Sequence, residues 1–272
     1  MREGFLYTMK LSIITINYNN RDGLQETIDS VVNQKWHDFE WLIIDGGSTD
    51  GSKELIENYQ EYFSYWCSEP DNGIFNAMNK GIAKAMGEYL LFLNSGDYLA
   101  NNHVVEDVLP YLNEYDFISG DTIFEHVDGT KEIGKSPRHL TAYVIVRYAL
   151  SHQSTFIRSE LLKRRSYREE FRIASDWEQE LYELIFNDAT YKAIPFVVSV
   201  FKEDGISRTN LDMVGQERNI IYKEYFSERL LKAIMGDNEM KEIVNHIKED
   251  SKLYRYSLLG LKIIRKMCKL LS

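Results

Sequence analysis

Hydrophobic residues in the first third of the chain are concentrated in short runs, and amphipathic stretches separate these runs. The runs are Leu11–Ile16, Phe39–Asp45, Tyr62–Cys67 and Tyr89–Leu93. The last consists only of apolar and aromatic residues, which is typical of a strand buried on both faces of a parallel sheet. The pattern therefore predicts four strands.

Between these runs, apolar residues recur three or four positions apart, which predicts helices with one buried face. One helix follows Asp22 and another follows Ser48, and both residues are suited to cap a helix. A third helix is expected over Ile74–Met86, after the turn signal Asp71-Asn72-Gly73. The resulting order β-α-β-α-β-α-β is that of a doubly wound parallel sheet.

The periodicity is weaker after Asp97, and the predicted elements become shorter. From about Leu211 onward every segment is predicted to be helical. The elements expected between these points are a helix near 104–112, a strand at 116–120, a strand at 151–157, a helix from 159, a helix at 173–186 that opens at Ser175-Asp176, and a strand at 191–201.

Composition supports a packed α/β protein and argues against a nucleic-acid partner. The 272 residues are 44% hydrophobic and 13% aromatic, which is ample for a core. The net charge of -10 is unlike the basic face of a nucleic-acid binder. The charge is uneven, because residues 251–272 carry six basic residues and no acid, which leaves -10 - 6 = -16 for residues 1–250.

Cysteine use and the absence of apolar segments predict a cytoplasmic protein that is soluble or peripheral to a membrane. Cys67 and Cys268 lie far apart and form neither a disulfide framework nor a metal motif. The first ten residues lack the apolar core of a signal peptide. No run approaches the roughly 18 apolar residues of a membrane span.

Three of the four predicted strands end in polar clusters, namely Thr15/Asn17, Asp45, and Ser95/Asp97. The carboxyl ends of parallel strands share one edge, where open α/β sheets bind their ligands. Asp97 is then a carboxylate placed to hold Mg²⁺ or Mn²⁺. The alternative is a strand-to-helix turn that Asp97 caps. Asp45 is left unexplained by turn chemistry and is well placed to bind a ribose or a base.

Two further residues have both a structural and a catalytic interpretation. Asp176 either complements the dipole at a helix start or acts as a general base. His152 is either a structural histidine or a ligand. The six histidines form no HxxxH pair, which disfavours a zinc site. The chain also has neither GxGxxG after its first strand nor a P-loop, which disfavours a dinucleotide oxidoreductase and a P-loop phosphotransferase.

Three blocks together carry a family resemblance: SIITINYNN, IDGGSTDGS and EPDNGIFNAMNKGIAKAMGEYLLFLNSGDYL. In this order and spacing, they resemble the N-terminal half of family 2 inverting glycosyltransferases of the bacterial polysaccharide-biosynthesis type, which have the GT-A fold. The resemblance is strong over residues 9–125, moderate to about 207 through SHQSTFI and FRIASDWE, and absent beyond. It implies a Rossmann-like, mainly parallel central sheet flanked by helices.

The resemblance also implies a nucleotide-sugar half at 9–125 and an acceptor half at 126–207. The helical pattern of the remaining residues predicts a C-terminal extension at 208–272. The donor would be a nucleotide-diphosphate sugar, with uridine diphosphate the family's commonest carrier. The acceptor would be a saccharide or a lipid-linked saccharide. The cofactor would be Mg²⁺ or Mn²⁺.

By resemblance, each candidate residue receives a role. Asp97 would bind the metal, and Asp176 would be the base that deprotonates the acceptor hydroxyl. His152, Gln153 and Trp177 would lie on the acceptor or diphosphate side. The donor nucleotide would be bound by Thr15, Asn17, Asp45, Asp71, Gly73, Asn79, Ser95 and Gly96.

The chain departs from the family pattern at three positions. Ser95 replaces the usual first aspartate of the metal motif, so metal binding would depend on Asp97 with phosphate and water. Position 46 is glycine where an aspartate is common, and Asn76 stands where related sequences often have aspartate.

The last predicted helix, residues 258–271, is amphipathic with a basic face. It is either a docked surface helix or an in-plane anchor on an anionic membrane. Two alternatives to a glycosyltransferase stay open: a sugar-1-phosphate nucleotidyltransferase, which has a similar sheet, and a catalytically inactive protein that binds sugar nucleotides.

Overall fold

The computed structural model describes residues 9–202 and 210–236. Within this part of the chain, nine strands form one sheet. The strands are β1 (Leu11–Asn17), β2 (Glu40–Asp45), β3 (Tyr65–Ser68), β4 (Tyr89–Phe92), β5 (Tyr98–Leu99), β6 (Phe117–Glu125), β7 (Lys131–Gly134), β8 (Thr155–Arg158) and β9 (Tyr191–Lys202).

Helices occupy most of the connections between these strands. They are α1 (Arg21–Val32), α2 (Ser52–Asn58), α3 (Ile74–Lys84), α4 (Val104–Val108), α5 (Ala142–Arg147), α6 (Ser159–Arg164), α7 (Ser175–Leu181), α8 (Leu211–Tyr225) and α9 (Glu228–Met235). Short 3-10 turns lie at Gln60–Tyr62, Leu109–Tyr111 and His152–Ser154, and a π-helix at Tyr182–Phe186.

The chain divides into a compact unit that ends at Ile221 and a second unit that begins at Tyr222. In the second unit, Ser227 caps α9 by accepting a hydrogen bond from the Leu230 amide. The domain limits expected from the sequence stay predictions, and the amphipathic helix expected at 258–271 lies outside the described residues. In the described part of the chain, we find no helix with the length and apolarity that crossing a bilayer requires.

The strand order is β3-β2-β1-β4-β8-β6-β9-β5, with β7 paired to β6. The first four of these strands are parallel neighbours, as the sequence predicts. β8 is antiparallel to both β4 and β6, and β9 is parallel to β6. Strands β1–β4, β6 and β9 therefore run in one direction, and the carboxyl ends of these strands share one edge. The predicted α/β class with a mainly parallel sheet is confirmed.

Helices cover both faces of the sheet, and the strands supply alternate residues to two cores. In β4, Leu91 packs in the core that contains α1, α2 and α4. Its neighbours Leu90 and Phe92 pack in the core that contains α3 and α6. Because both faces are buried, these strands are continuously apolar instead of alternating with polar residues.

Several local expectations were wrong. Asn20, not Asp22, caps α1 by accepting from the Gly23 amide. Ser48 does not cap α2; instead Asp50 accepts hydrogen bonds from the amide and hydroxyl of Ser52. Asp97 does not cap a helix, because the short strand β5 follows it. Half of the strand expected at 151–157 is a 3-10 turn.

The close approach of the chain before β4 to β1 gives a stability prediction. A Cβ at Gly87 would lie 2.5 Å from the backbone nitrogen of Ser12, which cannot move without disturbing β1. We expect Gly87→Ala to lower the free energy of unfolding by about 1–3 kcal/mol, the usual cost of overpacking. A denaturant titration followed by circular dichroism measures this change.

Gly215 in α8 is the matched control, because a Cβ there would meet nothing within 4 Å. Gly215→Ala should raise the free energy of unfolding by about 0.5–1 kcal/mol through helix propensity. Equal effects of the two substitutions would contradict the packing described at Gly87.

Candidate active site

Strand direction brings three sequence-distant residues to one edge of the sheet. β4 leads through Leu93 to the loop that contains Asp97. Because β8 is antiparallel to β4, its amino end lies at the same edge, and His152 immediately precedes that end. Asp176 reaches the edge from the first turn of α7. The sequence predicts each of these three residues as a candidate, but it does not predict that they lie close together.

His152 lies between the two carboxylates. Its Nδ1 is 3.5 Å from Oδ2 of Asp176, and its Nε2 is 4.0 Å from Oδ2 of Asp97. Burial lowers the pKa of His152, but the hydrogen bond and charge of Asp176 and the charge of Asp97 raise it more. The net pKa therefore lies above the ordinary histidine value. His152 thus offsets part of the repulsion between the predicted base and the predicted metal ligand.

The loop that holds Asp97 is fixed by a buried threonine that the sequence analysis missed. Thr27 in α1 donates its hydroxyl to the carbonyl oxygen of Asp97 at 2.7 Å and accepts from the Gly96 amide at 3.1 Å. Gly96 has φ +102°, which favours glycine at this turn. The amide of Asn20 also donates to the carbonyl oxygen of Ser95 at 2.9 Å. These bonds hold Asp97 rigidly at the sheet edge.

A buried acceptor without a hydrogen-bond partner lies beside Asp97. The Asn94 amide nitrogen is 3.1 Å from Nε2 of His152, while its Oδ1 is buried and unpartnered. The described residues contain no group of three His, Cys, Asp or Glu side chains that could hold a metal. The oxygens of Asp97 and Asn94 suit a hard cation, but phosphate or water must supply the remaining ligands.

Asp45 is completely buried at the end of β2, and protein donors surround its carboxylate. It accepts from the Asn17 amide at 2.7 Å and from the Ser68 hydroxyl at 2.6 Å. The amide and hydroxyl of Ser48 donate to it at 3.0 and 2.5 Å. A donor ribose or base that bonded to Asp45 would have to replace one of these partners, so its predicted contact with the nucleotide stays a prediction.

The two predicted donor residues of β1 differ in their surroundings. Thr15 is fully buried and accepts from the indole nitrogen of Trp41 at 3.1 Å, so it serves the core. Asn17 is also buried, but its Oδ1 has no hydrogen-bond partner. An unpartnered amide oxygen at the carboxyl end of a strand favours a ligand there. The structure thus supports the donor role of Asn17 better than that of Thr15.

Beyond Asn17, an open surface combines an exposed aromatic ring with a carboxylate. Tyr18 is 66% exposed, although aromatic rings are usually buried. A Cβ at Gly46 would lie 2.5 Å from Oδ2 of Asp71 and 3.1 Å from the Tyr18 ring. Glycine at position 46 therefore leaves the space that Asp71 fills. The sequence analysis missed Tyr18; its place directly after a strand-end asparagine was the available signal.

The Asp71-Asn72-Gly73 loop has its own internal bond, but Asn79 is committed to the protein. Asp71 accepts from the Gly73 amide at 2.8 Å, and Gly73 has φ +113°. Asn79 bonds the backbone of Tyr167 in both directions and donates to Glu169. It therefore ties α3 to the segment before Asp176, and its predicted nucleotide contact stays a prediction.

The loop that precedes Asp176 is held by Glu217 of α8, which the sequence analysis also missed. Its buried carboxylate accepts the successive backbone amides of Arg172, Ile173 and Ala174, at 2.7, 3.0 and 2.9 Å. Three charge-assisted bonds to consecutive amides fix the backbone that leads into α7. Asp176 itself accepts from the Trp177 amide at 2.8 Å.

Trp177 and Gln153, which were expected on the acceptor side, are buried. The Trp177 indole nitrogen donates to the carbonyl oxygen of Ile145 at 2.8 Å, which ties α7 to α5. The Arg218 guanidinium lies over the Trp177 ring at 4.5 Å. Trp177 therefore helps to hold α7, which carries Asp176, in place. Direct contact of Trp177 or Gln153 with an acceptor stays a prediction.

Glu180 lies one turn after Asp176 and is almost completely buried. It accepts from the Leu150 amide at 3.0 Å. Burial and the nearby charge of Asp176 raise the pKa of Glu180 well above its ordinary value.

Comparisons with known proteins identify the family to which this chain belongs. The family model described as glycosyl transferase family 2 matches residues 12–201, and the chain belongs to this family. An uncharacterized glycosyltransferase of Mycobacterium tuberculosis is 36% identical over 173 residues, which is 62% of this chain and 66% of the relative. Bacillus subtilis TuaG, named for teichuronic acid biosynthesis, is 36% identical over 32% of this chain and 36% of its own length.

Solved structures confirm the fold. S. aureus TarS 1-349, solved with UDP, aligns with a TM-score of 0.62 at 20% identity, over 92% of this chain and 75% of TarS. The mannosyltransferase PcManGT of Pyrobaculum calidifontis, solved with GDP-Man and Mn²⁺, aligns with a TM-score of 0.59 at 14% identity, over 96% and 81% of the two chains.

The Glu217 bonds predict how the loop before α7 responds to substitution. Glu217→Ala would leave three backbone amides without their acceptor, so we expect segment 171–176 to exchange amide hydrogens at least about tenfold faster, corresponding to a loss of about 1.4 kcal/mol or more. Hydrogen exchange measured by mass spectrometry tests this. The exposed neighbour Gln216, changed to alanine, is the control. Equal protection in both variants would show that Glu217 does not hold the loop.

Proposed function

We propose that the protein transfers a sugar from a nucleotide-diphosphate-sugar donor to an acceptor hydroxyl with inversion, in the synthesis of a cell-surface polysaccharide or glycolipid. One observation carries the proposal: Asp97 and Asp176 lie on opposite sides of His152 at the ligand-binding edge of the sheet. A hydroxyl acceptor needs a base, and a diphosphate leaving group needs positive charge. Asp176 would be the base, and Asp97 would hold the cation that supplies the positive charge.

The donor would lie along the carboxyl ends of β1, β2 and β4. Tyr18 offers an exposed ring on which a base can stack, and the Asp71 carboxylate beside it can accept from a base N–H group. The unpartnered oxygen of Asn17 is a further acceptor at this edge. Structural relatives solved with UDP, UDP-GlcNAc and GDP-Man support a nucleotide-sugar donor, with a UDP-sugar as the first candidate.

We assign Asp97 to a Mg²⁺ or Mn²⁺ ion, with Asn94 as a second oxygen ligand. When bound, the cation would neutralise charge on the departing diphosphate. The need is electrostatic, because a diphosphate that approaches Asp97 and Asp176 meets two carboxylates. The relative solved with GDP-Man and Mn²⁺ supports this cofactor. Ser95 contributes its carbonyl to the loop through Asn20, not a carboxylate to the metal.

Asp176 would act as the base. Its Oδ1 accepts from the Trp177 amide, and its Oδ2 faces His152. The side chain is 19% exposed, so an acceptor hydroxyl can reach it. Removal of the hydroxyl proton by Asp176 makes the oxygen nucleophilic as it attacks the anomeric carbon from the side opposite the diphosphate.

The remaining assignments concern location and acceptor. A cytoplasmic protein whose C-terminal basic helix holds it on an anionic membrane surface would suit a lipid-linked saccharide acceptor. The domain roles proposed are a donor half at 9–125, an acceptor half at 126–207 and an extension at 208–272. TuaG, whose name refers to teichuronic acid biosynthesis, supports a cell-surface product.

Asp176→Asn separates donor binding from transfer. Because asparagine keeps the shape of aspartate but cannot take a proton, turnover should fall about 10²–10⁴-fold while donor affinity is retained. Donor hydrolysis or transfer, together with calorimetric donor binding, measures the two effects. Asp22→Asn at the exposed start of α1 is the control. Unchanged turnover in Asp176→Asn would exclude it as the base, and full turnover loss in the control would invalidate the comparison.

A panel of UDP-, GDP-, dTDP- and CMP-linked sugars tests donor and metal together. We expect at least one to raise the melting temperature with Mn²⁺, and EDTA or Asp97→Asn to abolish that rise. Equal stabilisation with EDTA would contradict a metal-dependent site. Pyrophosphate release from a nucleoside triphosphate and a sugar 1-phosphate would favour the nucleotidyltransferase instead. Binding with no turnover on any acceptor would favour the non-catalytic protein.

A further inference from the structure

A cavity of about 400 Å³ lies outside the residues assigned above. β6 and the end of β7 form one side of it, and α5 with the residues after α5 forms the other. Ligand pockets in proteins commonly begin at about 300 Å³, so the volume is enough for a small molecule. The lining residues are Ser119, Gly120, Thr122, Phe124, Gly134, Lys135, Ser136, Pro137, Val144, Tyr148, Ala149, Leu150 and Ser151.

The cavity combines a hydroxyl floor with apolar and aromatic walls. Ser136 donates to Ser119 at 2.7 Å, and Thr122 donates to Ser154 at 2.8 Å. Tyr148 at the wall is 56% exposed, and no core position accounts for its ring. Apolar walls with a few fixed polar groups are the usual composition of a small-molecule site.

The cavity is tied to the helix that begins with Asp176. Ser151 in its lining directly precedes His152, which contacts Asp176. Leu150, also in the lining, donates its amide to Glu180 of α7. The α5 wall is held to α7 by the bond from Trp177 to Ile145. A molecule in the cavity would therefore be positioned relative to the proposed base.

Charge narrows the class of ligand. Among the described residues that line the cavity, Lys135 alone carries a charge, and it is exposed. The structure shows no ion pair between Lys135 and any described residue. A lining with one cation and no carboxylate is notable in a chain of net charge -10. It favours a ligand with a negative group.

We propose that this cavity is the acceptor subsite and that it takes a saccharide bearing an anionic group. The sugar ring lies against Tyr148, and the carboxylate or phosphate ester lies at Lys135. The inference rests on the proposed transfer reaction, because Asp176 must then deprotonate a hydroxyl of this saccharide. A uronic acid and a sugar phosphate share this chemistry, and the experiment separates them.

Saturation-transfer difference NMR on the full chain, without donor, measures binding of three probes: methyl glucuronide, glucose 6-phosphate and methyl glucoside. We expect at least one anionic probe to bind more tightly than the neutral one by about two- to fivefold, the range of an exposed ion pair. Preference for glucuronide identifies a uronic acid, and preference for glucose 6-phosphate identifies a phosphate ester. Equal binding of all three would overturn the anionic class.

Three variants locate the binding. Lys135→Gln should remove the preference for the anionic probe, and Tyr148→Ala should weaken all three probes. Lys163→Gln is the charge-matched control, because Lys163 is an exposed lysine on α6 outside the cavity lining. Thermal unfolding checks that each variant is folded. Unchanged binding in both Lys135→Gln and Tyr148→Ala would place the probes elsewhere and overturn the proposal.

Donor hydrolysis measured on the same variants separates this inference from the proposed function. If Lys135→Gln loses the anionic preference while the protein hydrolyses a sugar nucleotide, both proposals are supported. If hydrolysis is present but the probes bind without regard to Lys135, the acceptor proposal fails alone. If no sugar nucleotide binds or reacts, the transfer function fails, and the cavity is then not an acceptor subsite even where the probes bind.

Discussion

The antiparallel pairing of β8 with β4 is the constraint on which the site depends. β4 ends a parallel set whose carboxyl ends face the ligand edge, and β8 pairs with it through Tyr89–Arg158 and Leu90–Ile157. Reversed direction puts the amino end of β8, and therefore His152, at that edge. Had β8 been parallel, His152 would lie at the opposite edge, one strand length away from Asp97.

The same reversal joins two chemically different halves. The first four strands and their helices form one half. In it, Asp45 at the end of β2 accepts buried hydrogen bonds from Asn17 at the end of β1 and from Ser68 at the end of β3, and so links the ends of three strands. Burying a carboxylate costs free energy unless donors satisfy it, so this cluster holds one geometry firmly. The second half adds Asp176 on a short helix. The proposed donor binding by Asp97 and the proposed proton transfer to Asp176 would thus depend on separate elements, and His152 lies between these two residues.

The sequence predicts the parallel strands well, because buried strands and amphipathic helices have different periods. It also predicts that Asp45 and Asp97 lie at the carboxyl ends of parallel strands, and in the structure these strands, β2 and β4, flank β1. It does not reveal that Thr15 and Trp177 serve the core, because an apolar run does not show which face each residue occupies. The contacts of Thr27 and Asn79 are equally hidden, since hydrogen bonds across about seventy or more positions leave no local pattern.

The position of Asp176, the proposed base, depends on residues beyond the family match. That match ends at residue 201, yet Glu217 holds the three amides before α7 and Arg218 covers Trp177. The groups with chemical roles therefore occupy recognisable motifs, whereas the groups that fix their geometry lie in a helix with no motif. The carboxylate of Glu217 accepts from three backbone amides and so limits the motion of the backbone before Asp176. Such preorganisation would favour the proposed role of Asp176 as a base. The part of α8 that carries Glu217 and Arg218 thus belongs to the framework of the proposed active site, even though its sequence resembles no catalytic segment.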